Sequence, residues 1–88
     1  MREQLLDAIV DTMAETHPRF GFRAGYDPLN DCYFLLVIKV TPRFEIRSCI
    51  NVTEILDKHH HDNGEFDKAV CAEVNTSIES IEREERNA

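Results

Sequence analysis

No stretch of this 88-residue chain approaches the ~20 consecutive apolar residues that a bilayer span requires. The opening residues, Met1-Arg2-Glu3-Gln4-Leu5-Leu6-Asp7, set acids where a secretory leader needs an unbroken apolar stretch. Cysteine is scarce: Cys32, Cys49 and Cys71 are odd in number and lack metal-type spacing. That argues against a disulfide framework and reads as reduced thiols in a cytoplasmic protein. Bases are scarce too, ten against seventeen acids for a net charge of −7. Such a field opposes general nucleic-acid binding and anionic membrane surfaces. There is no glycine-rich phosphate loop, no nucleophile elbow and no H-E-x-x-H pattern. The expectation is a protein without catalysis and without cofactor. Repeats, linkers and low-complexity segments are lacking as well, so residues 1–88 read as a single domain. At that length folding buries only ~60–65% of the unfolded surface, and dimerisation is a common remedy for so thin a core.

What the chain does have is Cys32-Tyr33-Phe34-Leu35-Leu36-Val37-Ile38-Lys39-Val40, a strand apolar on both faces. Strands with one wet face alternate, because successive side chains point to opposite sides. Here Cys32, Phe34, Leu36, Ile38 and Val40 are all apolar, and Tyr33, Leu35 and Val37 nearly match them before Lys39 ends the row.

Around this strand the pattern predicts an α+β fold. Residues 2–17 read as a helix with a Leu6, Ile9, Val10, Met13 stripe, and acids Glu3, Asp7, Asp11 and Glu15 on another face. Pro18 marks its end. Residues 20–26 alternate, with Phe20, Phe22, Ala24 and Tyr26 on one side, and their glycines suggest an edge strand. A turn over 27–31 follows, built on Pro28 and on Asp and Asn side chains that bond their own backbone. Residues 43–52 alternate again, Phe44, Ile46, Ile50 and Val52 inward. Short connections favour an antiparallel meander with 32–40 at its centre. Asn51 and Glu54 have capping-box character before a short helix over 52–60. After a break at Asn63-Gly64, a helix over 65–86 carries Phe66, Val70, Val74, Ile78 and Ile81 as its stripe. The predicted order is α-β-β-β-α-α, with the helices mainly on one sheet face.

If the long helices cover the Phe34/Leu36/Ile38 row, Tyr33, Leu35 and Val37 stay open, with Arg23, Lys39, Arg43, Glu45 and Arg47 around them. An apolar centre with an arginine-rich rim is the composition of a protein-binding patch. The predicted function is therefore a small acidic protein–protein interaction module: a homodimer, an adaptor or an inhibitor. Its site would be Tyr33, Leu35, Val37, Arg23, Lys39, Arg43 and Arg47.

The acids of the last helix, Glu65, Asp67, Glu73, Glu79, Glu82, Glu84 and Glu85, support an alternative. A compact acidic protein can imitate phosphates and occupy a basic groove on a DNA- or RNA-handling protein. His59-His60-His61-Asp62 suggests a metal only superficially: helical neighbours are turned ~100° apart and do not converge on one ion. Histidines at a helix end instead complement the helix dipole. The helix–three strands–helix order is similar to that of double-stranded-RNA-binding domains. Where those domains place a lysine cluster at the start of the last helix, this chain has Asn63-Gly64-Glu65-Phe66-Asp67-Lys68, so the resemblance is one of arrangement and implies no RNA contact.

Overall fold

The computed structural model describes residues 2–59 and 61–87, except the side chains of Arg2 and Glu3. The elements follow the expected order: α1 (Arg2–Thr16), β1 (Gly21–Asp27), β2 (Cys32–Val40), β3 (Glu45–Asn51), α2 (Thr53–His59) and α3 (Asn63–Asn87). Both β1 and β3 pair antiparallel with the central β2.

Element ends are set by local chemistry, and several differ from the sequence expectation by a residue or two. Phe20 belongs to the turn after α1, its N–H donating to the His17 carbonyl at 3.1 Å, so β1 begins at Gly21. Thr41 gathers the loop before β3: its Oγ1 accepts from the Phe44 N–H at 3.0 Å and donates to the Phe44 carbonyl at 2.8 Å. That holds Arg43 and Phe44 outside the strand. Asn51 accepts from the Thr53 N–H at 3.0 Å, which turns the chain from β3 directly into α2. The last helix starts earlier than Gly64 suggested, because Asp62 caps it: Glu65 N–H donates to Asp62 Oδ1 at 3.2 Å and Phe66 N–H to the Asp62 carbonyl at 3.0 Å. An Asp followed three residues later by Glu is a start signal that outweighs glycine in a first turn.

One core draws on every element except β1, which contributes half-buried Phe22 and Ala24 at its margin. Leu6, Ile9 and Met13 come from α1, and Leu56 from α2; Phe66, Val70, Val74, Ile78 and Ile81 form the α3 stripe. They meet Leu35, Val37, Ile46 and Ile50 of the sheet. The expectation that Leu35 and Val37 lie on an open face is thus overturned: both are 0% exposed, beneath the helices. The cause is hairpin register. A five-residue turn over 27–31 would have aligned Tyr26 with Cys32, and Phe22 and Ala24 with the Phe34 row. Instead the connection is the four residues 28–31, Asp27 pairs with Cys32, and Phe22, Ala24 and Tyr26 pair with Val37, Leu35 and Tyr33. A slip of one residue sends every side chain to the opposite face. On the other side of β2, Ile50 pairs with Leu35 and Ile46 with Lys39. Both flanking strands therefore bring their apolar rows to the Leu35 face, and the helices follow.

Adjacent leucines test this assignment. Leu35→Ala should cost about 2–5 kcal/mol in urea unfolding, the range for emptying a sealed core site. Leu36→Ala should cost about 1 kcal/mol, since its side chain is half-buried. Equal losses would contradict the face assignment.

Candidate functional site

Covering one face leaves the other bare. Its centre is the second row of β2, in which Phe34, Leu36 and Ile38 are half-buried and Val40 is 72% exposed. Among the described residues this row is not part of the core that the helices cover. On β1 the matching positions are Gly21, Arg23, Gly25 and Asp27, and on β3 they are Glu45, Arg47, Cys49 and Asn51. Glycine opposite Phe34 has a packing reason. A Cβ on Gly25 would come within 2.6 Å of the Phe34 ring, so the ring lies against the bare backbone of β1. An open depression lies between Phe34, Cys32, Cys49 and Asn51 at the end of the sheet nearest the β1–β2 turn.

The charges around this row are ordered by short bonds. Arg47 Nη2 lies 2.5 Å from Glu45 Oε2 on the same strand. Arg23 is exposed and has no ion-pair partner among the described residues. Asp27 accepts from Asn30 Nδ2 at 2.6 Å and from the Leu29 N–H at 3.0 Å. The Asn30 donation, with the backbone N–H groups of Leu29 and Asn30 behind it, holds the Asp27 carboxyl below the usual carboxylate range. At the same turn, Asp31 takes a left-handed φ of 48°, which aspartate tolerates, and accepts a hydrogen bond from Tyr26 Oη. That bond, strongest when the phenol keeps its proton, raises the Tyr26 pKa.

The expected site residues divide between two layers. Arg23 and Arg47 stand with Glu45 on the open face, but beside Leu36 and Ile38 rather than around Leu35 and Val37. Arg43 is exposed in the loop before β3. Tyr33 lies on the helix side, its ring centroid 5.0 Å from that of Tyr26. Lys39 also belongs to the helix side. Its Nζ lies 2.8 Å from Glu85 Oε1 and 5.6 Å from the Phe20 ring centroid, pinning the end of β2 to α3. The residues missing from the expectation are Phe34, Leu36, Ile38, Val40 and Cys49. Their signal was the Gly21-Arg23-Gly25 row of β1, which offers no apolar side chains for a helix to pack on.

Of the acidic set, Glu65, Asp67, Glu73, Glu79, Glu82 and Glu84 are exposed on α3, whereas Glu85 is half-buried against Lys39. The segment 63–68 opens α3, and there Lys68 lies 4.0 Å from Glu65. His59 is half-buried, His61 is exposed, and His60 lies outside the described residues. Among the described residues no three His, Cys, Asp or Glu side chains gather as a metal site would need. Cys71 is half-buried on α3, and burial, then the nearby Asp67, pushes its thiol pKa up.

The Asp27 turn predicts an acid dependence of stability. Its pKa is lower folded than unfolded, so its contribution is complete above the ordinary carboxylate value near 3.9 and fades as pH falls through that value to the folded one. Asp27→Asn should therefore lose less stability than the parent on acidification below about pH 4; parallel melting curves for both proteins would contradict the assignment. In comparisons with family models, curated proteins and solved structures, none matches this chain.

Proposed function

We propose that this chain is a non-catalytic protein–protein interaction module that works through its open sheet face as a homodimer, an adaptor or an inhibitor. The observation that carries the reading is the Phe34-Leu36-Ile38-Val40 row, uncovered on the face opposite the helices. A contiguous apolar row rimmed by arginines has the composition of a binding patch and is unfavourable in water. Reduced thiols at Cys32, Cys49 and Cys71 suit a cytoplasmic setting. Neither catalysis nor a cofactor has a part in this reading.

A second reading draws on the opposite layer. Helices α1 and α3 touch and share one sheet face. Asp7, Asp11 and Glu15 of α1 are therefore exposed on the same layer as the α3 acids. That layer suits an inhibitor that imitates nucleic acid in a basic groove, with Lys39 withdrawing Glu85 from the display.

Affinity purification of the tagged chain from its native cells separates the two. A stoichiometric complex lost with Leu36→Asp, yet kept when Glu73, Glu79 and Glu82 are changed to lysine, is the expected result. The reverse pattern, with dissociation in high salt, would favour the acidic layer and reject the sheet face.

A further inference from the structure

We infer that the occupant of the open face is a second copy of this chain, the two sheets packed face to face about a two-fold axis crossing β2 at Phe34. The inference rests on the reading of that face as an interface. Charge is the first argument. The face carries Arg23 and Arg47 against Asp27 and Glu45 and is balanced, whereas the chain as a whole has net charge −7. A strongly basic or acidic partner would call for an unbalanced face, while a self-complementary contact calls for both signs on one patch. Face-to-face packing also places the two acidic helix layers on the outside. Two sheets ~10 Å apart then lie between them, and the Debye length at physiological salt is only ~8 Å.

Register supplies the second argument. Arg23 and Asp27 lie on the same side of β1, with Gly25 midway between them and paired to Phe34. A two-fold axis at that level sets each Arg23 over the partner's Asp27, so the arginine without an ion-pair partner among the described residues gains one. The pair forms twice. No side chain of β1 stands at the axis, because Gly25 leaves that space to the Phe34 ring. The same rotation sets Phe34 over its own copy, Leu36 over the partner's Cys32, and Ile38 over the partner's 28–31 turn. Leu29, at the tip of that turn, is 95% exposed in the single chain and gains cover there.

Area sets the strength. Three strands ~4.8 Å apart and up to nine residues long offer at most ~400 Å² per copy, and an axis at Phe34 lays only residues 32–36 of β2 over the partner's β2. The contact is thus smaller than the ~800 Å² per partner of a standard interface and in the range of weak, transient association. The dimer is therefore weak and concentration-dependent.

Sedimentation velocity on the purified chain from about 5 to about 500 µM tests this. The 10.2 kDa species should give way to one of twice the mass as concentration rises. Leu29→Asp, at a tip that carries no packing, should weaken association at least fivefold without moving the melting temperature. Arg23→Glu and Asp27→Lys should each weaken it at least tenfold, and their equimolar mixture should restore it, because both crossed pairs are then of opposite charge. Asp27→Lys also removes the turn's acceptor; if it fails to fold, Leu29→Asp and Leu36→Asp carry the test. A monomer at every concentration overturns the inference, while a Leu36-dependent complex with another protein would leave the interface reading standing. A dimer indifferent to Leu36→Asp and Leu29→Asp also overturns it, placing self-association elsewhere. Dimerisation lost with both of those changes but not restored by the charge-swap mixture overturns the two-fold register.

Discussion

The arrangement of this molecule depends on the pairing of Asp27 with Cys32 at the first hairpin. Asp27 closes the turn through the Leu29 N–H and the Asn30 amide, and Asp31 takes the left-handed conformation that lets the chain re-enter the sheet. With that pairing fixed, the pleat leaves one row choice on β1 and therefore one apolar face shared with Leu35 and Val37. On that face all three strands offer the helices apolar side chains, whereas on the other only β2 does. A connection one residue longer would have joined Phe22 and Ala24 to the Phe34 row and split the apolar rows of β1 and β3 between the two faces.

Covering one face exhausts the apolar residues of the helices. Phe66, Val70, Val74, Ile78 and Ile81 run the length of α3, and Leu6, Ile9 and Met13 complete the layer from α1. The polar contacts in this layer are few and matched. Ser48 Oγ donates to Ser77 Oγ at 3.1 Å where β3 meets α3, and Lys39 joins Glu85 near the end of that helix. A buried hydroxyl left without a partner would cost about 1–3 kcal/mol, which makes such pairing a condition of the packing. The two-layer result is economical in residues and leaves the second row of β2 with nothing of its own to meet it.

The consequence is a molecule whose two sides differ in character. Acidic side chains occupy the helical layer, and the sheet layer is apolar with balanced charge. Like-charged helical layers repel one another in solution and discourage indiscriminate stacking, whereas the sheet layer has no such protection. On that layer Arg47 pairs with Glu45, and Gly25 of β1 leaves the Phe34 ring against bare backbone. These features favour contact with another regular surface over the enclosure of a small ligand.

The order of elements, the central strand's bounds at Cys32 and Val40, the helix stripes and the excess of apolar residues on β2 were all legible in the sequence. They follow from periodicity and composition, which are local. Helix starts were less so: a cap at Asp62 and a side-chain bond at Asn51 decided them by single hydrogen bonds. Arg23 and Arg47 lie on the open face of the sheet, but the apolar row expected there was taken from the wrong side of β2. Which row of β2 lay open was never a property of β2, since both rows are apolar. It was fixed by which neighbours the turn brought beside each row, and that depends on strand pairing over the whole sheet. Sequence by itself determined that both rows of β2 would be oily; only the tertiary structure decided that one lies open and which, because that depends on the rows that pairing with β1 and β3 brings beside each.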